Sequence, residues 1–374
     1  MDRRTLIKGA AAAAMLAPFA AVRSATPQAA TLYDRATVID ACGSLVPFDP
    51  NDAPGLPLLP RFLADLKASG VTGVVMTVGG VGNGPGMFEE TVGAISYYDR
   101  EIATHPEALL QVRAAANLRE AKASGRVGVI YGFQDTTMLE GDLDRLETFD
   151  NLGVRVVQPT YNRRNLMGDG CLEPNDGGLS LLGRDLVAAL NTRRMLVDLS
   201  HAGPRTQADG LVASKAPCAI THSGCRALHD HPRNTADREL RALADKGGVM
   251  GIYFMPYLRA SGQQTSADVI RHIEHAVKVA GEDHVGLGTD GAIPPVIHLD
   301  AYRKHLAEVT EQRRAAGIAA PGEDPDVMLF APEYNTPRRF ETLADDLLKR
   351  GHSTARVEKI VGGNFARLFA EVWG

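Results

Sequence analysis

The sequence predicts an α/β fold, a single (β/α)8 barrel, and three observations lead there. Eight short apolar runs recur along 374 residues, at Thr37–Cys42, Thr72–Val78, Val127–Phe133, Val154–Tyr161, Met195–His201, Cys218–Ser223, Gly248–Phe254 and His284–Asp290. Most are rich in Val and Ile and nearly continuous in apolar character, as strands covered on both faces are. Amphipathic stretches lie between them, which makes βα units in a number that closes a barrel.

The elements follow in order. Leu59–Ser69 carries Leu, Phe and Leu at helical spacing, and Leu181–Asn191, Arg238–Lys246 and Ala267–Gly281 repeat the pattern. Gly70, Gly153 and Gly281 stand where helices should stop before the next strand. A proline-rich loop, Pro47 to Pro60, follows the first strand. A glycine-rich loop, residues 79–86, follows the second and lacks the Gly-Lys-Ser/Thr ending of a phosphate loop. The longest insertion, Gly291 to Pro337, holds a charged helix around Ala301–Ala315 and reads as a lid. An amphipathic helix from Thr354 to Trp373 closes the chain.

The first 25 residues read as a separate targeting segment. Asp2-Arg3-Arg4-Thr5-Leu6-Ile7-Lys8 is a twin-arginine pattern, followed by an Ala-rich stretch from Gly9 to Val22 and small residues at Ser24-Ala25. This predicts passage through the twin-arginine export machinery to the periplasm or beyond, leaving residues 26–374 as one domain. Removing the segment leaves 36 basic and 44 acidic residues, moving the net charge from −5 to −8. Such an acidic chain argues against nucleic acid as a partner. Four cysteines are too few for a disulfide scaffold, and Cys218, which opens an apolar run, is expected to be a free thiol rather than paired with Cys225.

In such barrels the chemistry sits where strands end. Those positions hold Cys42, Ser44, Gln134, Tyr161, His201, His222 and Asp290. Two histidines at successive strand ends, with an aspartate two strands later, suit a metal site, since imidazole nitrogen is a good ligand for Zn2+. Asp198 is either a support for His201 or a buried structural acid. His229 and His231 read as solvated loop histidines, and Glu89 and Glu90 as helix-start carboxylates.

The chain resembles the membrane (renal-type) dipeptidases, peptidase family M19. The resemblance is carried by Gly153-Val-Arg-Val-Val-Gln-Pro-Thr-Tyr-Asn, Gly168-Asp-Gly-Cys, Met195-Leu-Val-Asp-Leu-Ser-His, Thr221-His-Ser, Pro232-Arg-Asn, Val285-Gly-Leu-Gly-Thr-Asp and Gly362-Gly-Asn-Phe. It implies a (β/α)8 barrel, a possible homodimer, and two zinc ions in the family site. One ion is held by a His-x-Asp pair after strand one and the other by two later histidines, with a glutamate bridging them. An aspartate assists proton transfer and an arginine binds the substrate carboxylate. His201 and His222 match the histidines, Asp290 the aspartate and Arg233 the arginine. The His-x-Asp pair, however, is Cys42-Gly43-Ser44, the bridging glutamate is Gln134, and a substrate-contacting histidine is Tyr161.

Ser44 and Gln134 supply neither of the carboxylate charges that two neighbouring cations need, so the first metal position is expected to be empty. That leaves one zinc or none, on His201 and His222, with Gln134 or Asp290 as third ligand and Cys42 as an altered ligand or thiol. The expected function is an exported metallohydrolase cleaving a dipeptide or small amide with a free carboxylate. The alternatives are a repurposed non-dipeptidase enzyme, with Cys42 as nucleophile, or a non-catalytic binder of peptide-derived metabolites.

Overall fold

The structure is a computed structural model that describes residues 25–52, 55–82 and 86–374. The twin-arginine motif and its apolar stretch lie outside the described residues, as does part of the glycine-rich loop. No helix among the described residues is long and apolar enough to cross a membrane.

Parallel strands β1 (Ile39–Ser44), β2 (Gly73–Thr77), β4 (Val127–Phe133), β5 (Val154–Val157) and β6 (Leu196–Val197) form one arc of the barrel. Strands β7 (Ala219–Ser223), β8 (Val249–Ile252) and β9 (Val285–Leu287) form the other. Two seams join the arcs. At one, Leu199 N donates to Ala219 O at 2.8 Å, and at the other Asp290 N donates to Cys42 O at 2.8 Å. All seven residues of β4 are buried, as a strand between barrel interior and outer helices must be. Gly288 sits where two strands press together, and a Cβ there would lie 2.0 Å from Thr221 O.

Two short strands were not expected. β3 (Leu109–Gln111) takes the first half of one edge of β4, before β5 pairs with the second half. Its three residues are too brief for an alternation pattern to register. β10 (Gly291–Ala292) continues the chain past β9 and pairs with Gly43 and Ser44.

The expected C-terminal helix is broken in two. Thr354–Glu358 leads into a π-helical turn, Lys359–Gly363, and a second helix runs over Asn364–Trp373. Gly362 has no room for a side chain, since a Cβ would lie 2.3 Å from Thr37 O. Asn364 Nδ2 then donates to Glu282 O and Val285 O, each at 2.8 Å, and ties the helix to the start of β9. The kink carries Phe365, Leu368 and Phe369 into contact with a ring of barrel residues that includes Ile39, Ile130 and Val249. This apolar stopper closes the lower mouth of the barrel and leaves chemistry to the end where the strands finish.

Over that upper end lies the long insertion. Its helix, Leu299–Ala315, is held down by a small apolar cluster of Val296, Tyr302 and Leu306 against Phe48 and Phe330.

One buried histidine makes the stability depend on pH. His272, on the helix Ser266–Ala280, accepts a hydrogen bond from Cys225 N at Nδ1 and donates from Nε2 to Leu258 O. Burial pushes its pKa from 6.5 down to about 4. Between those values the unfolded chain holds a proton that the folded one does not, so stability is full above pH 6.5 and falls as the pH drops towards 4. The loss from this residue is about 3 kcal/mol. Urea unfolding of the parent and His272→Gln between pH 7 and 4 checks it. The variant should be less stable at pH 7 and show a shallower decline.

Candidate active site

Four strand ends bring Cys42, His222, His201 and Asp290 to the upper mouth. Cys42 is in β1 and His222 in β7, while His201 and Asp290 lie just past β6 and β9. His201 and Asp290 have left-handed backbone, with φ of 58° and 57°. Non-glycine residues pay about 1–3 kcal/mol for such conformations, which persist where surrounding structure holds them. Here Cys171 N donates to His201 O at 2.7 Å, and Asp290 N is held by Cys42 O.

Two buried carboxylates set the frame. Asp40 accepts from Thr289 N and Thr289 Oγ1 at 2.8 and 2.7 Å and from Cys42 N at 3.3 Å, locking the segment that carries Asp290 beside β1. Asp198 does the same between β6 and β7, accepting from Ser200 N and Oγ and from Thr221 N and Oγ1. It therefore reaches His222 through Thr221, and makes no hydrogen bond to His201 itself.

These bonds decide the imidazole tautomers. Thr221 Oγ1 spends its proton on Asp198, so it accepts from His222 Nδ1 at 2.8 Å. Asn162 donates its amide nitrogen to Ile318 O, which turns its Oδ1 to accept from His201 Nδ1 at 2.6 Å. Both Nε2 atoms then carry lone pairs, and they face each other at 2.9 Å. Burial holds both histidines below their usual pKa, with Arg233 adding to the effect on His201 and Asp290 opposing it on His222. Two neutral imidazoles converging lone pairs on one spot are unfavourable alone and are what a divalent cation requires.

Cys42, His222 and Asp290 also bring ligand atoms within 4.8 Å of one another. The Cys42 thiol donates to Asp290 Oδ1 at 3.7 Å and accepts from Gln134 Nε2 at 3.1 Å. Gln134 thus turns a donor towards the centre, where a ligand would have to offer its carbonyl oxygen, so the structure does not present it as a metal ligand. Ser44 Oγ is engaged with its own turn, 3.1 Å from both Val46 N and Val46 O. The donors present fit one divalent cation. They do not fit two, because both carboxylates of the first-metal pattern are replaced by neutral groups. Burial and the charge of Asp290 hold the Cys42 thiol well above its usual pKa, which argues against a free thiolate nucleophile. All four cysteines, including Cys218 and Cys225, are free.

Arg233 completes the site from the loop after β7. It is 4% exposed, its guanidinium lies 5.7 Å from the Tyr253 ring centre, and its buried Nη2 meets no hydrogen-bond partner. His229 and His231 are not solvated as expected. His229 Nδ1 donates to Tyr257 O, and His231 is buried with Nε2 donating to Pro321 O and Nδ1 accepting from Arg233 N. They brace the loop that aims Arg233. Sequence spacing could not show this, because the partners lie far along the chain.

Arg233, His201, Asp290 and Tyr161 line one cavity of about 200 Å³ under the insertion. That is small beside the roughly 300–1,000 Å³ of drug-sized pockets. Tyr161 stacks on His201 with ring centres 4.1 Å apart. Its hydroxyl accepts from Arg313 Nη1 on the insertion helix at 3.3 Å. Arg313 also grips Glu323 through two contacts of 2.9 Å, and Glu323 accepts from Tyr257 OH at 3.0 Å. Asn162, Arg313 and Glu323 were not singled out as site residues in the sequence; Asn162 ends the Gly153–Asn162 motif, while nothing there distinguishes Arg313 and Glu323 from other polar residues.

The profile of the membrane dipeptidases, peptidase family M19, matches residues 63–312. This chain belongs to peptidase family M19. Among solved structures, an amidohydrolase from Pseudomonas aeruginosa is 32% identical to this M19 chain, with a TM-score of 0.77 over 92% of this chain and 99% of the other. An uncharacterized Klebsiella pneumoniae protein is 28% identical, over 70% of this chain and 88% of its own. A dipeptidase of Clonostachys rogersoniana is 29% identical over 72% of this chain, which spans 62% of that protein.

Proposed function

We propose that this M19 chain is an exported, zinc-dependent hydrolase of dipeptidase type, cleaving a dipeptide or small amide that carries a free carboxylate. The observation that carries the reading is a buried arginine with a free Nη2, opening onto the same small cavity as His201 and Asp290. A buried guanidinium nitrogen without a hydrogen-bond partner is costly, and a substrate carboxylate supplies one for Nη2. The names of M19 relatives support the dipeptidase reading, and Asp2–Lys8 supports export.

His201 and His222 would hold the zinc through Nε2, with Asp290 beside them. When bound, Zn2+ supplies a Lewis acid and lowers the pKa of water to about 7. Arg233 fixes the substrate by its carboxylate and sets the scissile carbonyl above the histidines. An Asp290 carboxylate oxygen accepts the proton of the attacking water and returns it to the leaving amine nitrogen. The neutral histidines are already hydrogen-bonded at Nδ1 and leave that proton transfer to Asp290. The Arg313–Glu323 pair holds the insertion helix over the cavity and limits water entry.

The test is hydrolysis by the zinc-loaded mature chain of a dipeptide panel and of the same dipeptides amidated at the C-terminus. Turnover of the free acids that collapses on amidation is expected. Equal turnover of both forms sinks the carboxylate reading. Dipeptide binding without turnover favours a binder, the reading that the replacements at Ser44 and Gln134 support.

A further inference from the structure

We propose that this chain binds a single divalent cation through Cys42, His222 and Asp290, with the Cys42 thiolate as a ligand. The proposal refines the metal site of the function above and rests on that reading only for its catalytic consequence.

Four observations carry it. The three ligand atoms lie within 4.8 Å of one another, each from a different strand end. The Cys42 Sγ to Asp290 Oδ1 separation is 3.7 Å. Tetrahedral zinc with Zn–S near 2.3 Å and Zn–O near 2.0–2.2 Å sets that edge at about 3.5 Å, so sulfur and oxygen are already spaced for one ion between them. His222 is wholly buried, and its Nδ1 bond to Thr221 leaves an Nε2 lone pair with no donor facing it. Lastly, one thiolate and one carboxylate neutralise one divalent ion, whereas Ser44 and Gln134 add no charge for a second.

His201, the other histidine of the zinc site above, lies outside the group within 4.8 Å, but its Nε2 is 2.9 Å from His222 Nε2 and turns its lone pair to the same spot from the cavity side. Gln134 then has a defined role, its Nε2 donating to the sulfur and supporting the thiolate. On binding, the S–H bond of Cys42 breaks, its proton passes to solvent and the sulfur electron pair forms the bond to the cation. Asp290 places one carboxylate oxygen on the ion and keeps the other for the proton of the attacking water.

Cobalt reports thiolate ligation directly. The purified mature chain, stripped with chelator, is titrated with Co2+ and followed by absorbance, with bound metal counted by elemental analysis. One Co2+ per chain and a thiolate-to-cobalt charge-transfer band in the near ultraviolet are expected. Cys42→Ser should abolish the band and weaken Co2+ binding on the order of 100-fold or more. Cys171→Ser should leave both unchanged, and His201→Ala should keep the band. If Cys42→Ser fails to fold, the parent spectrum still decides, because cobalt bound without the band overturns the proposal. So do two cobalt ions per chain, or a band that survives Cys42→Ser. Dipeptide turnover is measured separately: the band without turnover upholds the site and sinks the hydrolase reading, while turnover without the band does the reverse.

Discussion

Asp290→Asn is expected to leave the fold intact and lower kcat roughly 10²- to 10⁴-fold, the range for loss of a positioned acid–base group. The variant is chosen for its backbone. Asp290 has φ of 57°, and asparagine is among the few residues that adopt left-handed backbone readily. The bond from its backbone N to Cys42 O does not involve the side chain and survives. The amide keeps the shape of the carboxylate but cannot take a proton from water. Denaturant unfolding should place the variant close to the parent. Because Asp290 also neighbours the cation donors, metal content is measured alongside, and the rate is compared at saturating zinc. A fall in kcat of less than tenfold under those conditions would remove Asp290 from the proton-transfer role.

Arg233→Met is expected to act in two opposite directions. kcat/KM for a free-acid dipeptide should fall on the order of 100-fold or more, since losing a buried charge pair costs about 2–5 kcal/mol. The fold, in contrast, should be no less stable than the parent. Arg233 is buried with an unpartnered Nη2 in the free protein, and methionine fills comparable space without a charge to desolvate. Cutting activity without cutting stability separates a binding residue from a structural one. Amidated substrates should respond little, because they lack the group Arg233 holds. A stability loss of several kcal/mol would show that Arg233 instead supports the loop braced by His229 and His231.

Much of the barrel was legible because its strands announce themselves. Val127–Phe133 is free of charged residues and buried throughout, and each of the other expected runs overlaps a strand, β1 running two residues past the expected Cys42. Stops at Gly70, Gly153 and Gly281 were readable because all three have positive φ. The C-terminal helix was misread as continuous, since its amphipathic pattern persists on both sides of the π-helical turn. The break follows from the close approach of Gly362 to Thr37, which local periodicity does not encode.

By itself, the sequence determined the (β/α)8 class, the family and the strand-end positions of Cys42, His201, His222 and Asp290. These follow from local apolar runs and from motifs contiguous in the chain. Only the tertiary structure decided how those residues act. It set the tautomers through Asn162 and Thr221, turned the amide of Gln134 onto Cys42 and joined Cys42, His222 and Asp290 into one donor group. It also left Arg233 buried with a free Nη2. The reason is physical: hydrogen-bond direction and donor spacing depend on groups as much as 248 positions apart, as Cys42 and Asp290 are, and only closure of the barrel brings them together.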